Sequence, residues 1–357
     1  MAFGNRASLG RATRESRRMT LKKSPQVASQ ATAAAVLSSS KTPTKTTPKK
    51  RAKPKGHAVV YLDHARVDLM HCIADGLFRP LQRGAEKGVS LDIHYKIKAK
   101  GFTLWWRNYQ LLSIADQSVF LAIHRLLSEK RRARSFSAPA DDNEKALMEM
   151  LNVQQDQNQR QAVMLETSLT EIAKTIGLSD GGANLKNIAD SIIRLSSVVC
   201  AVYSNDDPGK KFWQANLFSH LKMDSGKVYI AANPMLSNAI LVNRNAYVDM
   251  QNQRELGSDA AKRLHFWLSG WADENKLKKI ELDHLIPHVW GDMPQLDVDV
   301  RNRRRILRKA IEEVAKLPGW KCYENKERMV FVQKPEFVAP HDQIGYTPFG
   351  DDVLDLT

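Results

Sequence analysis

Cysteine is scarce in this 357-residue chain. Cys72, Cys200 and Cys322 are all it has, and none stands at CxxC spacing. That argues against a disulfide framework or a zinc ribbon and fits a reducing cytoplasm. No apolar run approaches the ~20 residues that a membrane span needs. The N-terminus is basic but lacks the apolar stretch of a secretory signal; its Arg- and Ser-rich, acid-poor character leaves an organelle transit peptide as a minor alternative. No GxxxxGKS or GxxxxGKT segment occurs, which argues against a P-loop ATPase. HxH, GxSxG and HExxH are missing too, so a nicking-joining enzyme, a serine hydrolase and a zincin lack their signatures. His284 and His288 stand four apart, a ligand spacing. Pro287 between them, and no acidic or cysteine partner on their face, argue for packing instead. The expectation is a protein without cofactor or catalytic residues.

Acidic residues are nearly absent from the first 57 positions, which hold 14 Lys and Arg against Glu15 alone, a net of +13. The other 300 residues hold 40 basic against 38 acidic, so all but +2 of the overall +15 resides in the arm. Lys and Pro at this density cannot bury a core, and residues 1–57 read as a disordered basic arm. A basic arm on a neutral body points to a polyanion partner, most often nucleic acid.

From position 58 the pattern is globular. HAVVYL (57–62) reads as a strand, and 63–84 as loop with a short helix. Residues 91–107 alternate on both sides of a Gly-containing turn, the signature of a β-hairpin, with Trp105 and Trp106 on opposite faces. Residues 111–129 form a strong helix. The Asp-, Asn- and Gln-rich stretch 138–160 reads as an insertion, helical around EKALMEML. The tryptophans at 213, 267, 271, 290 and 320 sit in apolar stripes, so core is their expected place. Residues 336–357 read as an acidic flexible tail.

Two stretches repeat one order of elements. In the first, a helix capped by Ser168 or Thr167 ends at Gly177, and SDGG leads into a longer helix with Leu185, Ile188, Ala189, Ile192 and Leu195 inward. Strands at 198–203, 210–223 and 227–233 follow. In the second, an amphipathic helix (258–273) precedes a short helix (280–291), an Arg-rich helix (299–317) with Asp299 as N-cap, and a hairpin. Short helix, tight turn, longer helix and hairpin is the order of a winged helix-turn-helix. The expected fold is α+β: a winged-helix domain at 58–244 and another at 245–335, with 245–257 as the connection.

The Arg-rich helix carries the chemistry. Val300, Leu307, Ile311, Val314 and Leu317 share one face, while Arg301, Arg304, Arg305 and Arg308 share another, with Arg303 and Lys309 beside them. Guanidinium forks match phosphate and the guanine edge, and the major groove admits one α-helix. The first unit offers a less charged set: Asn184, Lys186, Asn187, Ser191 and Arg194. Gly181-Gly182 permits close approach of backbone amides to phosphate. These eleven residues are the candidate DNA-binding set.

HARVDLMHCIADGLFRPLQRG, LDIHY, DGGANLKNIADSIIRL, AKRLHFWLSGWAD and VRNRRRILRKAIEEV, in this order, resemble the RepC replication initiators of IncQ-type plasmids, from Tyr61 to Lys334. The resemblance implies two winged-helix domains that bind direct repeats (iterons) at a plasmid origin, in a bacterial cytoplasm. It implies a non-enzymatic initiator whose partners are a plasmid-encoded hexameric helicase and a primase. The arm, the insertion and the tail depart from the family pattern. A homodimer is the other partner to consider, and a winged-helix transcriptional regulator is the runner-up function.

Overall fold

A computed structural model describes residues 63–82, 88–97, 101–129, 133–136, 141–152, 162–207, 211–222, 226–241 and 245–336. The basic arm, the strand expected at 57–62 and most of the acidic tail lie outside these residues.

The described chain opens with a strand, β1 (His64–Asp68), where the sequence reads as loop, and then a short helix, α1 (Leu69–Ile73). The Asp68 carboxylate caps α1 by accepting from the Met70 N–H at 2.9 Å. β2 (Leu91–Ile97) and β3 (Phe102–Asn108) form the expected hairpin. Leu91, Ile93, Leu104 and Trp106 are buried, and Trp105 takes the opposite, half-exposed face. α2 (Ile114–Leu127) starts in a capping box of Ser113 and Asp116 and buries Val119, Phe120, Ile123 and Leu127. β4 (Ala133–Phe136), α3 (Asp142–Leu151) and β5 (Ala162–Ser168) follow, α3 being the helix expected within the insertion.

α4 (Leu169–Ile176) is capped by Ser168 and ends at Gly177, whose φ of +88° is the left-handed conformation glycine accepts readily. A Cβ at Gly177 would also fall 2.8 Å from Arg254 Cδ. After a four-residue turn comes α5 (Gly182–Ser196). Next are β6 (Val199–Ser204), β7 (Lys211–Asn216), β8 (Phe218–Lys222) and β9 (Lys227–Ala232). The single strand expected at 210–223 is therefore two strands, which break at Leu217 and join different sheets. The buried Leu217 N–H donates to Val198 O, and its carbonyl accepts from Asn233 N–H, so the crossing leaves neither group unpaired.

α6 (Pro234–Leu241), β10 (Asn245–Asp249) and α7 (Met250–Glu255) come next. Within the expected connection, α7 falls on MQNQREL, which reads as one or two turns, while the strand β10 was not expected. β10 pairs antiparallel with β1, His64 opposite Asp249. α8 (Asp259–Trp271), β11 (Leu277–Glu281), α9 (Leu285–Trp290), α10 (Asp297–Ala315), β12 (Lys321–Glu324) and β13 (Met329–Gln333) complete the chain. The short helix expected from Ile280 begins only at Leu285, because Ile280 and Glu281 are held in β11 by pairing with β13. Pro287 then falls in the first turn of α9, where a missing N–H costs little. α10 starts two residues before the expected Asp299 cap. Leu296 stands at its N-cap without a side-chain bond, and Asp297 and Asp299 share the first turn, where carboxylates suit the helix dipole.

The strands form four antiparallel sheets among the described residues: β1-β10, β2-β3-β6-β7, β4-β5-β9-β8 and β11-β13-β12. One core gathers on α2, where Phe120 meets Phe78, Phe218 and Phe266. A second lies between α8, α10 and the last sheet, with Leu264, Leu268, Leu307, Ile311, Val314 and Val330. A small third cluster packs α3 on β5 and β9.

The two large cores are stitched together. Arg263 of α8, fully buried, donates to the carbonyls of Cys72 and Ala74 at 3.0 and 2.8 Å, and burial lowers its pKa to about 10. His288 sits 2.6 Å from the Asp75 carboxylate, and a Cβ on Gly291 would fall 2.6 Å from Gly76 Cα. The described residues all belong to one compact unit within Ala58–Thr357. None of their helices is long and apolar enough to cross a membrane.

Candidate nucleic-acid interface

α10 is an amphipathic helix with its arginines sorted by their neighbours. Leu307, Ala310, Ile311 and Val314 are buried and fix the helix on α8 and the last sheet. Arg304 forms a fork with Asp283 of the turn before α9, at 2.6 and 2.5 Å. The hydrogen bond from Arg304 holds the Asp283 carboxyl below the usual range, and that bond raises the pKa of Arg304. Arg308 forms a second fork with Glu324 of β12, at 2.7 and 3.0 Å. Arg303 bonds the carboxylate and carbonyl of Asp292 at 2.6 and 2.7 Å and lies over the Trp290 ring. Bidentate Arg–carboxylate pairs fix geometry as well as adding energy.

Three of the six basic residues expected on α10 stay exposed and carry no ion pair among the described residues: Arg301, Arg305 and Lys309. Arg301 makes a long 3.4 Å contact with its own helix backbone, and Arg305 bonds Asn302 at 3.0 Å. Four residues apart, they form a row whose members are ~6 Å apart along the axis. The six basic residues expected on this helix therefore divide into an outward row and a propped set.

α5 is arranged differently. Lys186 and Asn187 are exposed, and Asn184 is half-buried, its amide donating to the carbonyl and hydroxyl of Ser179 at 3.1 Å. Ser191 is buried at 2 % exposure, and Arg194 turns back toward α2. The Arg194 guanidinium bonds Asp116 at 2.9 and 2.8 Å and Ser191 Oγ at 2.9 Å. Asp116, 1 % exposed, also accepts from the Ser113 N–H and hydroxyl. Ser191 and Arg194 thus serve the packing of α5 on α2. Gly181 and Gly182 leave open space before the first turn of α5, which has no side-chain cap.

Two features escaped the sequence reading. Ile193 is 48 % exposed on the outer side of α5, an apolar group able to meet a thymine methyl. The carboxylates that prop or capture the arginines, Asp116, Asp283, Asp292 and Glu324, were also missed. They carry no motif and lie far from their partners in sequence. The tryptophans fell where expected: Trp213, Trp267 and Trp320 are buried, and Trp271 and Trp290 are half-buried. His288 bonds Asp75 and stacks on Trp267. No group of potential metal ligands gathers among the described residues.

Two crystal structures of domains 2 and 3 of RctB are similar to the chain. One has a TM-score of 0.48 at 10% identity, covering 75% of this chain and 98% of that one. The other has a TM-score of 0.43 at 12% identity, covering 74% and 95%. No curated protein sequence matches significantly. The family model described as replication protein C (RepC) matches residues 59–336, which spans every described element from β1 to β13. The chain belongs to the replication protein C (RepC) family of plasmid replication initiators.

Proposed function

We propose that this initiator binds direct repeats (iterons) at its plasmid origin through two winged helix-turn-helix modules, opens the adjacent duplex and recruits the replicative helicase and primase. In this reading α2, α4 and α5 with the β6–β7 hairpin form one module. α8, α9 and α10 with the β12–β13 hairpin form the other. Each places its longest helix last, followed by a hairpin, as a groove-reading helix and its wing require.

The observation that carries the reading is the exposed row Arg301, Arg305 and Lys309. Such a row can donate to guanine edges and phosphates, while the propped Arg303, Arg304 and Arg308 hold the helix and its flanks in shape. α5 contributes Asn184, Lys186, Asn187 and Ile193, a set suited to adenine and thymine edges and to one phosphate. The open N-terminus of α5 adds amide donors for a phosphate.

Footprinting the full-length protein on its parent plasmid tests this. Protection of tandem repeats beside an AT-rich segment, lost on replacing Arg301 and Arg305 together, is the expected result. Protection of a single promoter palindrome would turn the reading to a transcriptional regulator. Strand cleavage of supercoiled origin DNA, abolished by replacing one tyrosine, would turn it to a nicking enzyme.

A further inference from the structure

The sheet β2-β3-β6-β7 has one face in the first core and another that no helix-derived function uses. Along β3 the outward positions are Thr103, Trp105 and Arg107, and Tyr109 continues them just past the strand end. Trp105 is half-buried, Arg107 is exposed, and Tyr109 is 59 % exposed. His94 of β2 stacks on Trp105, centroids 5.5 Å apart and planes 22° apart. Tyr203 of β6 meets Trp105 from the other side at 5.6 Å. The Arg107 guanidinium lies 5.7 Å from the Trp105 ring centre, and exposed Lys96 stands two residues along β2 from His94. The Asp92 carboxylate, which accepts from the Trp105 indole N–H, fixes the ring.

Alternating strands normally give solvent a polar face. Here that face has rings interleaved with cations, which suits bases on the rings and phosphates on the cations. Successive outward side chains of a strand lie ~7 Å apart. Bases of a duplex stay in a column with ~3.4 Å rise and offer their edges instead. Only an unpaired, drawn-out strand can lay its bases on such rings, as in sheet-based readers of single-stranded nucleic acid. The end of β3 adjoins the first candidate reading helix: the amide of Asn108, on the buried side of the strand, donates to Arg194 O in the last turn of α5. A duplex held by α5 would be next to the sheet when it opens.

We propose that Trp105, Arg107, Tyr109 and Tyr203, with His94 and Lys96, form a binding surface for single-stranded DNA. The surface captures one strand of the opened origin, separately from duplex recognition. Its place in initiation rests on the reading above; the binding itself does not.

The test is anisotropy of the full-length protein with fluorescein-labelled oligothymidylate and, in parallel, with iteron duplex. Trp105→Ala and Tyr109→Ala each weaken oligothymidylate binding by roughly 5- to 150-fold, the worth of one stacked base. Both leave duplex binding within about twofold, and Trp105→Phe restores most of the loss. The deficit persists at raised salt, where phosphate attraction to the basic arm fades. Unchanged oligothymidylate binding in the very exposed Tyr109→Ala and in Trp105→Ala overturns the proposal. Equal loss of duplex binding also overturns it, making the face a wing contact on the duplex. Iteron binding absent from the wild type, with ring-dependent oligothymidylate binding intact, would sink the iteron reading alone.

Discussion

α5 and α10 hold corresponding places in their element orders, yet they dispose of their arginines in opposite ways. On α5, Arg194 folds back onto a carboxylate that is 1 % exposed. On α10, carboxylates from a turn, a loop and a strand hold Arg303, Arg304 and Arg308 along the surface, and Arg301, Arg305 and Lys309 project freely. Counting guanidiniums on a helical face therefore overstates what a ligand can reach. Availability depends on acidic groups that the fold brings from elsewhere. α5 is left with few charges and more amide and apolar surface. α10 is left with a row of cations on a braced scaffold. On our reading the first contributes base discrimination at A·T pairs, and the second affinity and guanine contacts.

The largest effect should come from breaking the inward arrangement. Asp116→Ala removes the carboxylate half of the α2 capping box and leaves the Arg194 guanidinium without its carboxylate partner. Loss of one member of such a pair costs ~3–5 kcal/mol. Urea unfolding measures it, and a loss below about 1 kcal/mol would mean that Arg194 readily swings out, making it a contact residue after all. On the α10 side the corresponding structural change is Leu307→Ala, which empties a fully buried site and costs ~2–5 kcal/mol. Arg305→Ala should stay within ~0.5 kcal/mol of wild type in stability. If Leu307→Ala proves milder than Arg305→Ala, the facing of α10 is wrong.

Acid titration probes both halves at once. His124 of α2 lies against Phe218, and His265 of α8 lies against Trp320. Burial depresses both to a pKa of about 3. Each stays neutral in the fold, whereas the unfolded chain takes up its proton below about 6.5. Their contribution to stability is complete above about pH 6.5 and is lost as pH falls toward 3, by ~1.4 kcal/mol per pH unit for each histidine. By pH 5 that is ~2 kcal/mol apiece. Unfolding free energies across this range should show the decline, and His265→Gln should make it shallower by the share of one histidine. A flat profile would mean that the rings reach water.

Next come the contacts themselves. Arg301→Ala and Arg305→Ala should each weaken iteron binding by ~1–3 kcal/mol, about 5- to 150-fold, with folding intact. Arg304→Ala should weaken binding less directly and cost stability as well, because it leaves Asp283 without its fork. Equal binding losses and equal stability for Arg304 and Arg305 variants would erase the distinction between propped and free arginines.

Much of this was legible from local spacing. The 91–108 hairpin, α2, the α4–α5 pair and α10 all show the period of their element over enough residues to decide it. β1 and β10 were not legible. Each is five residues long, and their pairing joins positions 64–68 to 245–249, so neither looks like a strand without the other. The split at Leu217 was hidden because apolar residues run through it, and only the bonds to Val198 and Asn233 show where the chain changes sheets. In the interface, the apolar stripe of α10 could be read, whereas the fate of each arginine could not. Asp283 and Glu324 lie 21 and 16 residues from their partners, and Asp116 lies 78 from Arg194.

The smallest effect on recognition should come from removing what is most charged. Residues 1–55 carry 14 basic groups against one acidic. Basic tails attract phosphates without reading bases, and each phosphate contact contributes about 0.9 to the slope of log affinity against log salt. Deleting residues 1–55 should lower affinity for random duplex, flatten that slope and leave the ratio of iteron to random affinity nearly unchanged. Anisotropy at several salt concentrations, with iteron and scrambled duplexes, measures all three. Collapse of the ratio would move part of the base reading from α5 and α10 into the arm, and the contrast between the two helices would then describe only half of the recognition.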